Sequence, residues 1–219
     1  AAAAYEHDAQ DIDVGALHQG WLRKARASGA RVMTDAALWG AERVRGRWCV
    51  KTRQGRIVAG TIVNAAGAWA DAVARACAVA PLGIQPMRRS VAVLPAPAGH
   101  DIRAWPATDD SAEGWYCKPD GGKLFVSPAE EIPVEAHDAY VDDMVLAEGL
   151  HRFESAVDYP VVRVERSWAG LRSFAPDRTP VVGFSGERAG FFWLAGQGGY
   201  GVQTAPALSR LAGELISED

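Results

Sequence analysis

The sequence feature that most constrains the fold is a glycine-rich loop between an apolar segment and a helix. Phe191–Ala195 is uninterrupted apolar sequence and predicts a buried strand. Glycines are concentrated in residues 196–201, and a helix is predicted from about Val202 to Ile216. Glycine lets backbone N–H groups approach a ligand closely, and a helix start adds free donors and partial positive charge. The loop therefore predicts either a site for an anion, or for a ring that becomes anionic, or only a flexible connection.

The amino-terminal region predicts one helix followed by an antiparallel meander. Asp11 or Asp13 can cap a helix that runs to about Ser28, where Gly29 stops it. Short strands are then predicted at Arg31–Thr34, Ala36–Arg45, Trp48–Thr52 and Arg56–Asn64. The last of them leads into a helix from about Trp69 to Ala78, which Pro81 closes.

From Gly83 to about Arg166 the sequence predicts a second, antiparallel-sheet domain with a helix on one face. The strands are expected at Ile84–Leu94, Gly114–Pro119 and Lys123–Ser127, and the helix near Asp143–Ser155. A further strand is predicted at Val161–Leu171, before a turn at Pro176–Pro180. The fold class is thus a mixture of α+β and α/β.

Composition excludes several classes of partner. The 219 residues carry a net charge of −4 with no basic run, so neither nucleic acid nor an anionic membrane surface is indicated. Apolar stretches fall short of the ~20 residues that span a bilayer. The three cysteines are widely spaced and odd in number, and the five histidines are scattered. We therefore expect reduced cysteines, a cytoplasmic location and no metal site.

Two further groups of residues are candidates for a site. Small residues from Asn64 to Trp69 follow an apolar strand and permit close packing against either a backbone or a cofactor. Arg89, Tyr116 and Arg172 lie in otherwise apolar strands. A buried guanidinium needs a partner, which is either a structural carboxylate or the carboxylate of a ligand. The sequence alone does not show that these three side chains meet.

Three segments, in this order along the chain, resemble the D-amino-acid oxidase superfamily of flavoproteins, which includes glycine and sarcosine oxidases. They are VNAAGAWAD (63–71), RSWAGLRSFAPD (166–177) and FFWLAGQGGYGVQT (191–204). Further segments are similar to the bacterial D-arginine dehydrogenases within it, among them PLGIQPMRRS (81–90) and YCKPDGG (116–122). The resemblance implies a partial Rossmann-like FAD-binding domain at 1–82, a substrate-binding domain at 83–166 and a return to the FAD domain at 167–219.

The resemblance also implies roles for individual residues. Arg172 and Arg89 match arginines that hold the substrate carboxylate, and the hydroxyl of Tyr116 reaches the same group. Gly199 matches a residue that offers its carbonyl to the substrate amine, and Gln203 completes the substrate set. The implied FAD-binding residues are Leu38, Ala65, Ala66, Gly67, Trp69, Gly170, Gly198, Gly199, Tyr200, Gly201, Val202 and Gln203. It implies neither a catalytic acid or base nor a metal in this chain.

The activity implied is oxidation of the CH–NH2 group of a D-amino acid. Hydride passes to flavin N5, and the imino acid hydrolyses to a 2-oxo acid and ammonia. The alternatives are a glycine- or sarcosine-type oxidase that uses oxygen, and a folded remnant that binds no cofactor. The family's glycine fingerprint, which holds the ADP end of FAD, is not found in these 219 residues. We therefore expect the isolated chain to be inactive and to need an amino-terminal segment or a complementing chain.

Overall fold

The computed structural model describes residues 3–218, which form four α-helices, one short 3-10 turn and twelve strands. In chain order these are α1 Val14–Ala27, β1 Leu38–Val44, β2 Arg47–Thr52, β3 Gly55–Ala59, β4 Ile62–Asn64, the 3-10 turn Gly67–Trp69, α2 Ala70–Ala76, β5 Gln85–Leu94, β6 Thr108–Asp109, β7 Tyr116–Asp120, β8 Lys123–Ser127, β9 Ile132–Pro133, α3 Asp143–Ala156, β10 Arg166–Phe174, β11 Val181–Phe184, β12 Phe191–Ala195 and α4 Gly201–Ser217.

The first helix is confirmed, with Asp13 as its cap. The Asp13 carboxylate accepts a hydrogen bond from the backbone N–H of Ala16 at 2.8 Å, which satisfies one of the free donors of the first turn. No residue of α1 is buried, and the apolar side chains of Val14 and Trp21 are exposed. Packing within residues 3–218 therefore leaves the apolar stripe of this helix largely uncovered.

The predicted meander is confirmed as the three-stranded antiparallel sheet β1-β2-β3, with two corrections. Residues 31–34 form no strand. The single strand predicted over Arg56–Asn64 was wrong, because it divides into β3 and β4, which belong to different sheets. Val58 is exposed, whereas Ile62 is buried and its N–H donates to the carbonyl of Gly190 at 2.9 Å. The chain leaves the meander at this point to join the sheet formed with β11 and β12.

The second sheet is mixed and carries the glycine-rich loop. Its order is β11-β12-β4, in which β12 runs antiparallel to β11 and parallel to β4. Its core includes Trp48 of β2, Phe191 and Trp193. The indole N–H of Trp48 donates to the Gly190 carbonyl at 2.9 Å. The small sheets thus share one core, and β12 ends where the loop begins.

The largest sheet is antiparallel, in the order β10-β5-β8-β7-β6, and β9 also pairs with β5. One face packs against α3, as predicted, through a core of Leu94, Val126, Leu150 and Phe153 among others. Gly149 of α3 is closely packed, since a Cβ there would lie 2.6 Å from the Pro128 Cα. The helix can approach the sheet closely only because this position has no side chain.

The strand β10 starts five residues later than predicted and extends to Phe174. It pairs with β5 along its whole length, from Arg166 opposite Val93 to Phe174 opposite Gln85. This strand therefore completes the large sheet, although most of it lies in the range assigned to the returning FAD domain. The domain boundaries at 82/83 and 166/167 stay a prediction.

A buried carboxylate fixes the connection from α2 to β5. Asp71 accepts hydrogen bonds from three successive backbone N–H groups, those of residues 82, 83 and 84, each at 3.0 Å. Such charge-assisted bonds are stronger than neutral ones and hold the start of β5 against α2.

Among residues 3–218 we find no helix with the length and apolar character needed to cross a membrane. The cytoplasmic location stays a prediction.

Candidate active site

The register of the large sheet brings the three predicted polar side chains to one face. Arg172 lies opposite Met87, and Gly170 lies opposite Arg89, so both arginines project from the same side of β5 and β10. The pairing of Tyr116 with Ser127, continued through β8 to β5, adds Tyr116 to that side. Because α3 covers the opposite face, these side chains line an open surface of the sheet.

A cleft of about 810 Å³ lies over this face. It is lined by Arg89, Tyr116 and Arg172, together with Gly199 and Tyr200 of the glycine-rich loop. Four of the five predicted substrate-binding residues therefore meet in one place. The fifth, Gln203, lines a smaller adjoining cavity of about 250 Å³ that shares Gly199 with the first. The roles of these residues stay predictions.

The guanidinium of Arg172 is partly buried and has no ion pair within residues 3–218. Burial, and next the positive charge of Arg89, lowers the pKa of Arg172, while Tyr116 and Glu131 act in the opposite direction. A lowered pKa means that the charged form is poorly compensated. A carboxylate bound in the cleft would supply the missing negative charge and could form a bidentate pair with the Arg172 guanidinium.

The second arginine is held firmly. Arg89 donates from Nε to the carbonyl of Glu130 at 2.8 Å and from Nη2 to Glu131 Oε1 at 3.3 Å. Its guanidinium carbon lies 5.8 Å from the centre of the Tyr116 ring. Only 12% of its side chain is exposed. The cleft thus has one arginine with protein partners and one without.

The glycine-rich loop lies directly against Phe174 and Arg172 because its glycines permit close contact. Gly198 has φ +55°, donates its N–H to the Ser173 carbonyl at 2.9 Å, and would place a Cβ 2.7 Å from Phe174 Cδ1. A Cβ at Gly199 would lie 3.0 Å from Arg172 Nη1. A side chain at either position would displace Phe174 or Arg172.

The start of α4 presents free hydrogen-bond donors beside exposed side chains. No side chain caps this helix at Tyr200, so its first-turn N–H groups are free to donate. Tyr200 and Val202 are exposed, at 57% and 42% of their surface. Free donors beside uncovered apolar surface suit a flat ring with polar edges.

The remaining predicted cofactor residues line neither of the two cavities. Ala65, Ala66, Gly67 and Trp69 connect β4 to α2, where the buried Asn64 amide donates to the Ala70 carbonyl at 2.8 Å. Trp69 is 45% exposed. Leu38 begins β1 and packs against the core of the small sheets, and Gly170 lies opposite Arg89.

Sequence reasoning missed several charged residues of the cleft. Asp109, Asp110, Glu113, Glu131 and Arg178 all line it. The only local signal was their setting in polar loops, which is equally typical of solvated surface. The described residues contain no group of three or more possible metal ligands, and all three cysteines are free thiols.

The family described as FAD dependent oxidoreductase (DAO) matches residues 1–215. This chain belongs to that family. The predicted superfamily and FAD as its cofactor are confirmed, as is the mixed fold. The chain is 29% identical over 176 residues to FAD-dependent oxidoreductase domain-containing protein 1 of Xenopus laevis, covering 71% of this chain and 34% of the relative.

It is also 30% identical over 181 residues to the mitochondrial sarcosine dehydrogenase of Homo sapiens, covering 78% of this chain and 19% of the relative. Among solved structures, the glycine oxidase of Geobacillus kaustophilus superposes with a TM-score of 0.77 at 23% identity, which shows the shared fold. That match covers 89% of this chain and 51% of the oxidase. This chain therefore spans about half the length of the oxidase and less of the two relatives.

Proposed function

We propose that this chain forms part of an FAD-dependent enzyme that oxidises the CH–NH group of an amino acid bound by its carboxylate. The observation that supports the proposal most strongly is the partly buried guanidinium of Arg172, which has no ion pair within residues 3–218. It lines the same cleft as Arg89, Tyr116 and Gly199. An anion-binding group and a loop suited to a flavin thus adjoin.

The chain's own residues would act mainly by positioning. The two arginines and the Tyr116 hydroxyl hold the substrate carboxylate, which turns the α-carbon toward the loop at Gly199. The free N–H groups of the first turn of α4 stabilise negative charge that develops beside them. Residues 198–203 would hold the flavin ring, and residues 65–69 its extended portion. When bound, FAD supplies the hydride acceptor.

D-Amino acids are the proposed substrates, with glycine or sarcosine as the alternative. The sequence resemblance to D-arginine dehydrogenases supports a substrate that has a side chain. The sarcosine dehydrogenase and the glycine oxidase among the similar proteins support the alternative. The carboxylate-binding residues would serve both classes.

We further propose that polypeptide beyond these 219 residues holds the ADP end of FAD. The chain covers only 51% of the glycine oxidase with which it superposes, and α1 presents an uncovered apolar stripe. On this account, FAD added to the 219-residue chain binds weakly and the chain has no activity. Tight stoichiometric binding, seen as a change in flavin fluorescence, would contradict this part of the proposal.

The substrate is tested with the FAD-loaded protein, produced together with the polypeptide that completes its FAD site. Both enantiomers of a panel of amino acids, with glycine and sarcosine, are assayed with an artificial electron acceptor and, separately, for hydrogen peroxide. We expect turnover of D-amino acids through the acceptor. Turnover of glycine or sarcosine with peroxide would favour the oxidase alternative. A protein that retains FAD but oxidises none of these compounds would overturn the proposed activity.

A further inference from the structure

A single carboxylate joins two arginines of the cleft. Glu131 Oε1 lies 3.3 Å from Arg89 Nη2, and Glu131 Oε2 lies 2.7 Å from Arg178 Nη2. Arg178 is the more exposed of the two arginines, at 53% of its side chain against 12%. The orientation of Arg89, the less exposed of the two, therefore depends on a bridge that extends to the rim of the cleft.

Arg178 is itself fixed by its surroundings. Its guanidinium carbon lies 4.0 Å from the centre of the Phe174 ring, a close cation–π contact. Its backbone has φ +62°, which is unfavourable for a residue with a side chain. A hydrogen bond of 2.8 Å from its N–H to the Ala175 carbonyl closes the turn that imposes this conformation. Such backbone strain persists where the surrounding structure enforces it, and it is concentrated at functional sites.

The same phenylalanine supports the glycine-rich loop. Phe174 is 3% exposed, and Gly198 packs so closely on its ring that a Cβ would lie 2.7 Å from Cδ1. An unbroken series of contacts therefore runs from Arg89 through Glu131, Arg178 and Phe174 to the loop. The middle of β5 and the glycine-rich loop are thus connected through side chains.

We propose that Glu131 and Arg178 are positioning residues that hold the Arg89 guanidinium ready to receive a carboxylate. They act through Arg89 and fix its distance from the glycine-rich loop. The inference rests on the proposed function, since it assumes that Arg89 and Arg172 bind the carboxylate. Without the bridge, Arg89 keeps its bond to the Glu130 carbonyl but is free to turn its outer nitrogens away from the cleft.

Charge alone predicts the opposite effect of removing Glu131. A negative charge beside an anion site repels the anion, so its loss would strengthen carboxylate binding. A positioning role predicts that loss of Glu131 weakens carboxylate binding, because the free energy of binding must then also cover the ordering of the Arg89 side chain. Ordering one long side chain corresponds to roughly a two- to tenfold change in affinity. The sign of the change thus separates the two accounts.

The experiment titrates acetate into the 15N-labelled 219-residue chain and follows the side-chain Nε–H signals of Arg89 and Arg172 by NMR. We expect E131A to raise the dissociation constant for acetate roughly two- to tenfold, with a more mobile Arg89 signal. E131Q keeps one acceptor oxygen and should give an intermediate constant. E135A removes an exposed acid outside the cleft and should bind as the unaltered chain does. Equal or tighter binding by E131A would overturn the inference.

An R172A variant separates this inference from the proposed function. If R172A loses acetate binding and E131A does not, the carboxylate site stands and the positioning role fails. If R172A binds acetate as well as the unaltered chain, or if the unaltered chain shows no acetate-dependent shift of Arg172, the proposed function fails at its central residue. Glu131 is accessible to solvent, so its replacement should not disturb folding.

Discussion

Replacing Gly198 with alanine should destabilise the fold strongly, because two independent costs coincide there. The backbone has φ +55°, which costs a residue with a Cβ about 1–2 kcal/mol. The new methyl group would also lie 2.7 Å from Phe174 Cδ1. The ring cannot move aside easily, since it is 3% exposed and lies under the Arg178 guanidinium at 4.0 Å. Overpacking of this kind costs about 1–3 kcal/mol.

The two costs add to about 2–5 kcal/mol, which is a large part of the ~5–15 kcal/mol that stabilises a typical domain. For a chain of this size we expect the midpoint of thermal unfolding to fall by about 4–20 °C. Circular dichroism at 222 nm and tryptophan fluorescence, recorded on heating, measure the change. Chemical denaturation provides an independent value of the free energy of unfolding.

The same substitution at Gly213 is the matched control. Gly213 lies on the exposed side of α4, and a Cβ there would meet nothing within 4 Å. Alanine in a helix interior is favoured over glycine by about 0.5–1 kcal/mol, so this variant should be slightly more stable. If Gly198→Ala unfolds at the same temperature as the unaltered chain, the account of the loop as a close contact on Phe174 is wrong.

Three further predictions concern the packing and the thiols. Gly149→Ala should cost about 1–3 kcal/mol despite its helical setting, because α3 touches the sheet there; a higher unfolding temperature would refute this. Asp71→Asn should cost about 1–3 kcal/mol in urea denaturation, since the carboxylate serves three N–H groups; an unchanged midpoint would argue against that role. Burial raises the pKa of Cys77 and Cys117 to about 11, so little thiolate exists at pH 8. Iodoacetamide should label both slowly in the folded chain and quickly after denaturation, as read by mass spectrometry.

The residues of the proposed carboxylate site could be predicted from the sequence, but their proximity in the fold could not. Arg89, Tyr116 and Arg172 are conspicuous as polar residues in apolar strands. Their position on one face depends on the register between β5, β8, β7 and β10, which are distant in sequence. A shift of one residue in any pairing would turn a side chain to the α3 face. Local pattern carries no information on that register.

The boundary between β3 and β4 illustrates the same limit. The segment from Ile57 to Val63 predicts one strand, because only Gly60 and Thr61 interrupt its apolar residues. The break is set by pairing partners far apart in the chain, β2 for β3 and β12 for β4. By contrast, the Phe191–Ala195 strand was predicted without error, since its residues are buried on both faces and glycines end it.

The bridge through Glu131 was missed for a related reason. A glutamate in a polar loop and an arginine in a Pro-Asp-Arg-Thr-Pro turn are typical of solvated surface. Only the structure shows Glu131 between Arg89 and Arg178, 42 and 47 residues away in sequence. Ion pairs between residues distant in sequence produce no periodic pattern. The sequence therefore reveals polar residues within apolar strands, but not the loop residues that pair with them.

The most direct test of the carboxylate site compares two substrates in the FAD-loaded enzyme. One is an amino acid that the enzyme oxidises, and the other is the amine that lacks its carboxylate. Arg172→Ala should lower kcat/KM for the amino acid by roughly 30-fold or more, the cost of removing one partner of a buried charge pair. It should leave the poor activity on the amine unchanged, and Arg56→Ala, an exposed arginine on β3, should alter neither. An equal loss on both substrates, or no loss on the amino acid, would contradict a carboxylate held by Arg172.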